Sequence, residues 1–197
     1  MIDRPVPVSS RAREVLVDES TLARRAVEGC RDSFGALASL YTARVFALLR
    51  QRGMQPADAE DATQEAFVQA WRGLRTFDPT RPFAPWIFQI AVRCASHAHR
   101  RRRRENTADS DACDHGAAAN PAIDDREHAE TVWDLAQRVL SPDQNTLLWL
   151  VYVEGLSGPD AARATGKTPV GVRVALHRAR KRLERTLDRR TIDKAEP

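Results

Sequence analysis

The chain has 197 residues, with 31 Lys and Arg against 27 Asp and Glu, a formal net charge of +4 and 42% apolar residues. This composition excludes collagen-like and wholly disordered chains, and the absence of any run of about 18 apolar residues argues against a membrane-spanning helix. The start, MIDRPVPVSSRARE, lacks the apolar stretch of a secretory signal, and three scattered cysteines (Cys30, Cys94, Cys113) point to a reducing cytoplasm rather than a disulfide scaffold.

Apolar spacings of three and four residues, with no sustained alternation, predict an all-α chain. Residues 1–17, with Pro5 and Pro7, read as a flexible arm, and a first helix is predicted over 20–29. A second is predicted with Asp32 as its cap. Phe34, Leu37, Leu40, Tyr41, Val45, Leu48 and Leu49 lie on its inner face, and Gly53 ends it. Pro56 opens a third over 56–73, with Ala59, Thr63, Ala66, Phe67, Ala70 and Leu74 inward. Asp78-Pro79 and Arg81-Pro82 mark turns before a fourth helix over 84–104. That helix carries Trp86, Ile87, Ile90 and Cys94 and ends in five arginines, Arg100 to Arg104.

Composition then changes. Residues 105–134 hold nine acids and one base, and 105–124 contain a single large apolar residue, Ile123. Such a stretch buries too little surface to offset its ordering entropy, so it reads as a flexible acidic linker. The predicted organisation is an arm (1–17), a helical domain (18–104), the linker (105–124), a second helical domain (125–190) and a tail (191–197). In the second domain a helix is expected near 126–140. Ser141-Pro142 opens another over 142–154, and shorter ones follow at 158–165 and 169–188.

Three segments carry chemistry. The first is DAEDATQEAFVQAW, 58–71, where Asp58, Asp61 and Glu65 share one helix face beside Gln64. Acids near a helix start are explained by the helix dipole, or by a docking face for a basic partner. A two-metal helical site would need Glu-x-x-His pairs, which are missing. The second is FDPTRPFAPWIFQIAVRCASHAHRRRRR, 77–104. Its aromatics precede a cationic run, a combination suited to stacking unpaired bases and neutralising phosphates; alternatively the aromatics are core and the arginines solvated.

The third segment is LSGPDAARATGKTPVGVRVALHRARKRL, 156–183. Two helices, a Gly-containing turn at Gly166 and a second helix with a basic outer face form a DNA-reading helix-turn-helix. Thr168, Arg173 and His177 are placed to meet base edges, and Arg178, Arg180, Lys181 and Arg182 to meet phosphates. A solvated basic helix is the plainer alternative.

Taken in this order, the three segments resemble the extracytoplasmic-function sigma factors, the small two-domain class of bacterial sigma-70-type initiation factors. The resemblance spans about 20–104 and 130–187. It implies that the first domain is a region 2-like bundle and the second a region 4-like helix-turn-helix. It implies that Asp58, Asp61, Gln64 and Glu65 dock on core RNA polymerase. Phe77, Arg81, Phe83, Trp86, Arg93, Arg100 and Arg101 fall to promoter melting and minus-ten recognition. Lys167, Thr168, Arg173, His177, Arg178, Arg180 and Lys181 fall to minus-thirty-five recognition. The implied partners are core polymerase, promoter DNA and an anti-sigma factor, in the cytoplasm and without membrane insertion. Val92-Arg93 stands where members usually carry Arg-Asn, and Val174-Ala175 where many carry polar residues.

Two other classes compete with this reading. A helix-turn-helix regulator acting without polymerase explains 156–183 but leaves the first two segments idle. A zinc or redox site would draw on Cys94, His97, His99, Cys113 and His115, whose spacing matches no standard finger. Cys30 and Cys94 read instead as buried small apolar residues. No catalytic Ser-His-Asp set, P-loop or Gly-rich cofactor loop is present, so no catalytic residue, cofactor or metal is expected.

Overall fold

The computed structural model describes residues 10–108 and 132–193, with side chains at 19–101 and 132–188. The described residues form eight α-helices and one 3-10 turn, with no strand. In the first half these are α1 (Ser10–Val27), α2 (Arg31–Gln51), α3 (Pro56–Gly73), the 3-10 turn Leu74–Thr76, and α4 (Phe83–Ala108). The second half has α5 (Val132–Val139), α6 (Pro142–Tyr152), α7 (Gly158–Thr165) and α8 (Pro169–Asp193).

Local chemistry sets these boundaries. Pro56 sits in the first turn of α3, where its missing N–H costs nothing. Ser141 begins α6 with a capping box: its hydroxyl accepts from the Gln144 amide at 3.3 Å, and the Gln144 side chain accepts from the Ser141 amide at 3.2 Å. Ser157 caps α7 by accepting from the Asp160 amide. Gly166 ends α7 at φ 66°, ψ 24°, in the left-handed region. A Cβ there would meet no atom within 4 Å, so the strain of Gly166→Ala is confined to the backbone. That substitution is expected to cost about 1 kcal/mol, seen as a melting temperature lowered by roughly 2–4 °C.

The sequence expectations need four corrections here. Helix α1 starts at Ser10, well inside the expected arm, because favourable helix formers resume once Pro5 and Pro7 are passed. Residues 1–9 lie outside the described residues. The cap position of α2 is Cys30, not Asp32, which sits in the first turn. Cys30 is half-buried rather than buried, and the Ser33 hydroxyl donates to its Sγ at 3.2 Å, lowering the thiol's pKa. Helix α4 runs on to Ala108, so the first residues of the expected linker are helical. The rest of the linker lies outside the described residues.

Helices α1 to α4 enclose Leu37, Tyr41, Val45, Leu48, Leu49, Phe83, Ile87 and Phe88, all at most 1% exposed. Helices α5 to α8 bury Leu135, Leu147, Leu150, Ala161 and Val172. Helix α7 packs along α4, and α6 along α2, so the two halves are in contact. Polar bonds cross between them. Arg44 on α2 holds Glu154, just after α6, through Nε at 2.7 Å and Nη2 at 2.5 Å. Asn145 donates to the Gln51 carbonyl at 2.6 Å, meeting an orphan acceptor at the end of α2. Arg52 donates to the Thr146 hydroxyl at 2.8 Å and lies 3.5 Å from Asp143.

Candidate nucleic-acid and protein interfaces

The acidic face is built on α3. Ala59, Ala62, Thr63, Ala66 and Ala70 turn inward, which leaves Asp61, Gln64, Glu65 and Val68 along the outer stripe. Asp58 is half-buried at one end of it. Glu65 accepts from Gln69 at 2.8 Å, an i,i+4 bond that fixes the carboxylate. Beside this stripe lies a groove between α2 and α3, lined by Ser39, Thr42, Ala43, Phe46, Glu60, Thr63 and Gln64. Val68 is 44% exposed and Trp71 39%, Trp71 resting on Phe34 at a ring separation of 5.0 Å. The face therefore joins carboxylates to apolar surface. Sequence reasoning found the acids and missed the apolar partners, because period alone does not say how far a flanking position is covered.

On α4 the structure divides the aromatic–arginine segment. Phe77 and Phe83 are 5% and 1% exposed and meet edge to face at 5.5 Å. As folded they are core, and the expectation that these two rings stack on bases is corrected accordingly. Of the candidate aromatics only Trp86 keeps partial exposure, leaning on both rings at 4.9 and 5.4 Å. Trp86, Arg93 and Arg100 recur at seven-residue spacing, so they share one stripe of α4; Arg93, Arg100 and Arg101 are exposed. Arg81 stands apart on the preceding turn, 3.1 Å from Asp78. The Asp78 carboxyl is held below its usual range, mainly by bonds from Thr80 and then by Arg81.

Underneath, Glu19 is 5% exposed and accepts from the Tyr41 hydroxyl at 2.7 Å and from the Phe83 amide at 3.1 Å. It thereby satisfies a free amide at the start of α4. Burial, and then the Glu19 charge, raise the Tyr41 hydroxyl's pKa. Sequence reasoning missed Glu19, which nothing local distinguishes from a surface acid.

The helix-turn-helix is α7, a three-residue turn and α8. Thr168 accepts from the Gly171 amide at 3.0 Å, so its oxygen caps α8. Val172, Leu176 and Ala179 face inward, and Arg173, His177, Arg178, Arg180 and Lys181 are exposed. Lys167 donates to Asp143 at 2.9 Å. That bond first, and Arg52 with it, hold the Asp143 carboxyl below the ordinary carboxylate range. A lowered native pKa contributes stability above the unfolded value of about 3.9, lost as pH falls through the folded value. Asp143→Asn is therefore expected to flatten the acid limb of the stability curve below about pH 4, checked by denaturant midpoints across that range.

Cys94 is buried, and burial, with Glu65 second, pushes its thiol up to about 11. His97 and His99 are exposed. Cys113 and His115 lie outside the described residues, and no group of three potential ligands occurs among the described ones. No helix among the described residues is long and apolar enough to cross a membrane.

An acid-faced α3, a cationic stripe on α4 and a helix-turn-helix with a basic outer helix thus follow one another along the chain. The chain matches the family model described as Sigma-70 region 2 over residues 37–105 and that described as Sigma-70, region 4 over 135–183. The ECF RNA polymerase sigma-E factor of Haemophilus influenzae is 30% identical over 87% of this chain and 95% of its own length. The structure of CnrH in complex with the cytosolic domain of CnrY aligns with a TM-score of 0.64. It is 26% identical, over 87% of this chain and 97% of that one. Sigma factor RpoE with the anti-sigma factor NepR, from Bartonella quintana, aligns at 0.63 and 25% identity, over 81% and 98%. The chain belongs to the sigma-70 family and, within it, to the extracytoplasmic-function sigma factors. It directs core RNA polymerase to promoters for initiation, rather than acting as a free-standing helix-turn-helix regulator.

Proposed function

We propose that 18–104 and 125–190 act as two modules joined by the acidic segment, the first with one face for polymerase and one for DNA, the second with one face for DNA. Asp58, Asp61, Gln64 and Glu65, with the groove and Val68, bind core polymerase. Trp86, Arg93, Arg100 and Arg101 hold the opened minus-ten region, with Arg81 at its edge. Arg173, His177, Arg178, Arg180 and Lys181 lie against the minus-thirty-five duplex, and Lys167 reaches it from the turn. Selective capture of the open form then drives melting, and two weak contacts on one chain raise each other's effective concentration.

The observation that carries this reading is the pairing, in one chain, of an exposed carboxylate stripe on α3 with an exposed cationic face on α8. Nucleotidyl transfer belongs to the polymerase, and no covalent step is assigned to this chain. Its place of action is the cytoplasm, where the polymerase works. An anti-sigma factor is its expected regulator; the related RpoE is held by one in its solved complex. Run-off transcription on genomic DNA, with core polymerase and with or without this protein, tests the reading. Discrete new start sites support it, and an unchanged transcript pattern overturns it.

A further inference from the structure

The outer face of α8 is not uniformly polar. Val170 is 67% exposed, the most exposed large apolar residue among the described ones, and Val174 is 42% exposed. They stand one turn apart, opposite the buried Val172, Leu176 and Ala179, on the line that continues to His177 and Lys181. Gly171 adds no side chain beside them, and its amide is held by the Thr168 cap. Arg173 and Arg178 flank the pair, both exposed. The result is an apolar strip two side chains long inside a cationic surface, at the N-terminal end of the helix.

A strip so placed is wrong for a phosphate and wrong for most base edges. Valine offers neither donor nor acceptor, so it leaves unsatisfied any guanine, adenine or cytosine edge it covers. One major-groove feature is apolar: the C5 methyl of thymine. Valine is also stiff at χ1 within a helix, so little side-chain freedom is lost when it docks. Successive turns of a helix are about 5.4 Å apart and successive base pairs about 3.4 Å. Two methyls met by the pair therefore sit within about two base steps of each other.

We infer that Val170 and Val174 are specificity-determining residues that read thymine methyl groups in the upstream promoter element. This deepens the proposed reading of duplex DNA by α8 and rests on it. The neighbouring arginines supply attraction and contacts to guanine or phosphate, and the valines select thymine beside them.

The test uses the full chain assembled with core polymerase. Upstream sequences are selected from a randomised promoter library, and each selected thymine is then replaced singly by deoxyuridine, which lacks only the methyl. The expected result is a loss of about fourfold in affinity at one or two positions for the native holoenzyme. Holoenzyme carrying Val170→Ala and Val174→Ala should no longer distinguish thymine from uracil there. Both residues are exposed, so alanine opens no cavity, and a thermal melt of the variant checks the fold. Uracil tolerated at every selected position, or resisted equally by the variant, overturns the inference while leaving upstream reading intact. No upstream sequence preference at all overturns both together.

Discussion

Asp61→Arg combined with Glu65→Arg is expected to abolish assembly with core RNA polymerase while leaving the free chain folded. Both side chains are exposed on the outer stripe of α3 and neither fills the core. Within the helix the change exchanges one like-charged i,i+4 pair for another of opposite sign and removes the Glu65–Gln69 bond. Such effects amount to a few tenths of a kcal/mol, so the melting temperature should move by about a degree. At an interface that recognises carboxylates the same change sets like charge against like. Each such juxtaposition costs several kcal/mol, and two of them weaken assembly by a factor on the order of a thousand or more. Pull-down with core polymerase, read beside a thermal melt, separates the two effects. Undiminished assembly would remove the docking role from α3, whereas loss of both assembly and fold would leave the stripe's role to the milder Asp61→Asn.

How far the sequence foretold these surfaces depended on the range of the forces involved. Helix α3 was legible from its start, since Pro56 is a local signal and its alanines recur at helical spacing. The helix-turn-helix was legible for the same reason: Gly166 and Thr168-Pro169 act on their own neighbours. The fates of Phe77 and Phe83 were not. An aromatic beside arginines reads equally well as a base platform or as core, and only the arrival of Tyr41 and Glu19 from distant helices decides. The apolar content of the α3 face was hidden likewise, because the exposure of Val68 depends on how α2 packs beside it. Least legible of all was the contact between the halves. Arg44 and Glu154 are 110 residues apart, and each alone looks like an ordinary surface charge.

That last pair makes an asymmetric prediction. Arg44→Ala is expected to destabilise the packed chain by about 3 kcal/mol, and Glu154→Gln by only about 1 kcal/mol. The two partners differ in what is left behind. The Glu154 side chain is 5% exposed, against 37% for Arg44. Without Arg44, the carboxylate keeps the Trp149 indole N–H as a donor at 3.3 Å and stays shut away from water. Breaking a buried pair from this side leaves an uncompensated charge, the costly case. Without the Glu154 charge, Arg44 keeps its access to solvent and lies over the Tyr41 ring at 4.5 Å, and the glutamine oxygen still accepts from it. For a chain of this length the larger loss corresponds to a melting temperature lowered by roughly 6–12 °C. Equal losses in the two variants would mean that Glu154 reaches water as readily as Arg44 does, and that α2 and α6 are not held together in solution by this tie. A loss in Arg44→Ala about three times that in Glu154→Gln is what a carboxylate trapped between the two halves gives.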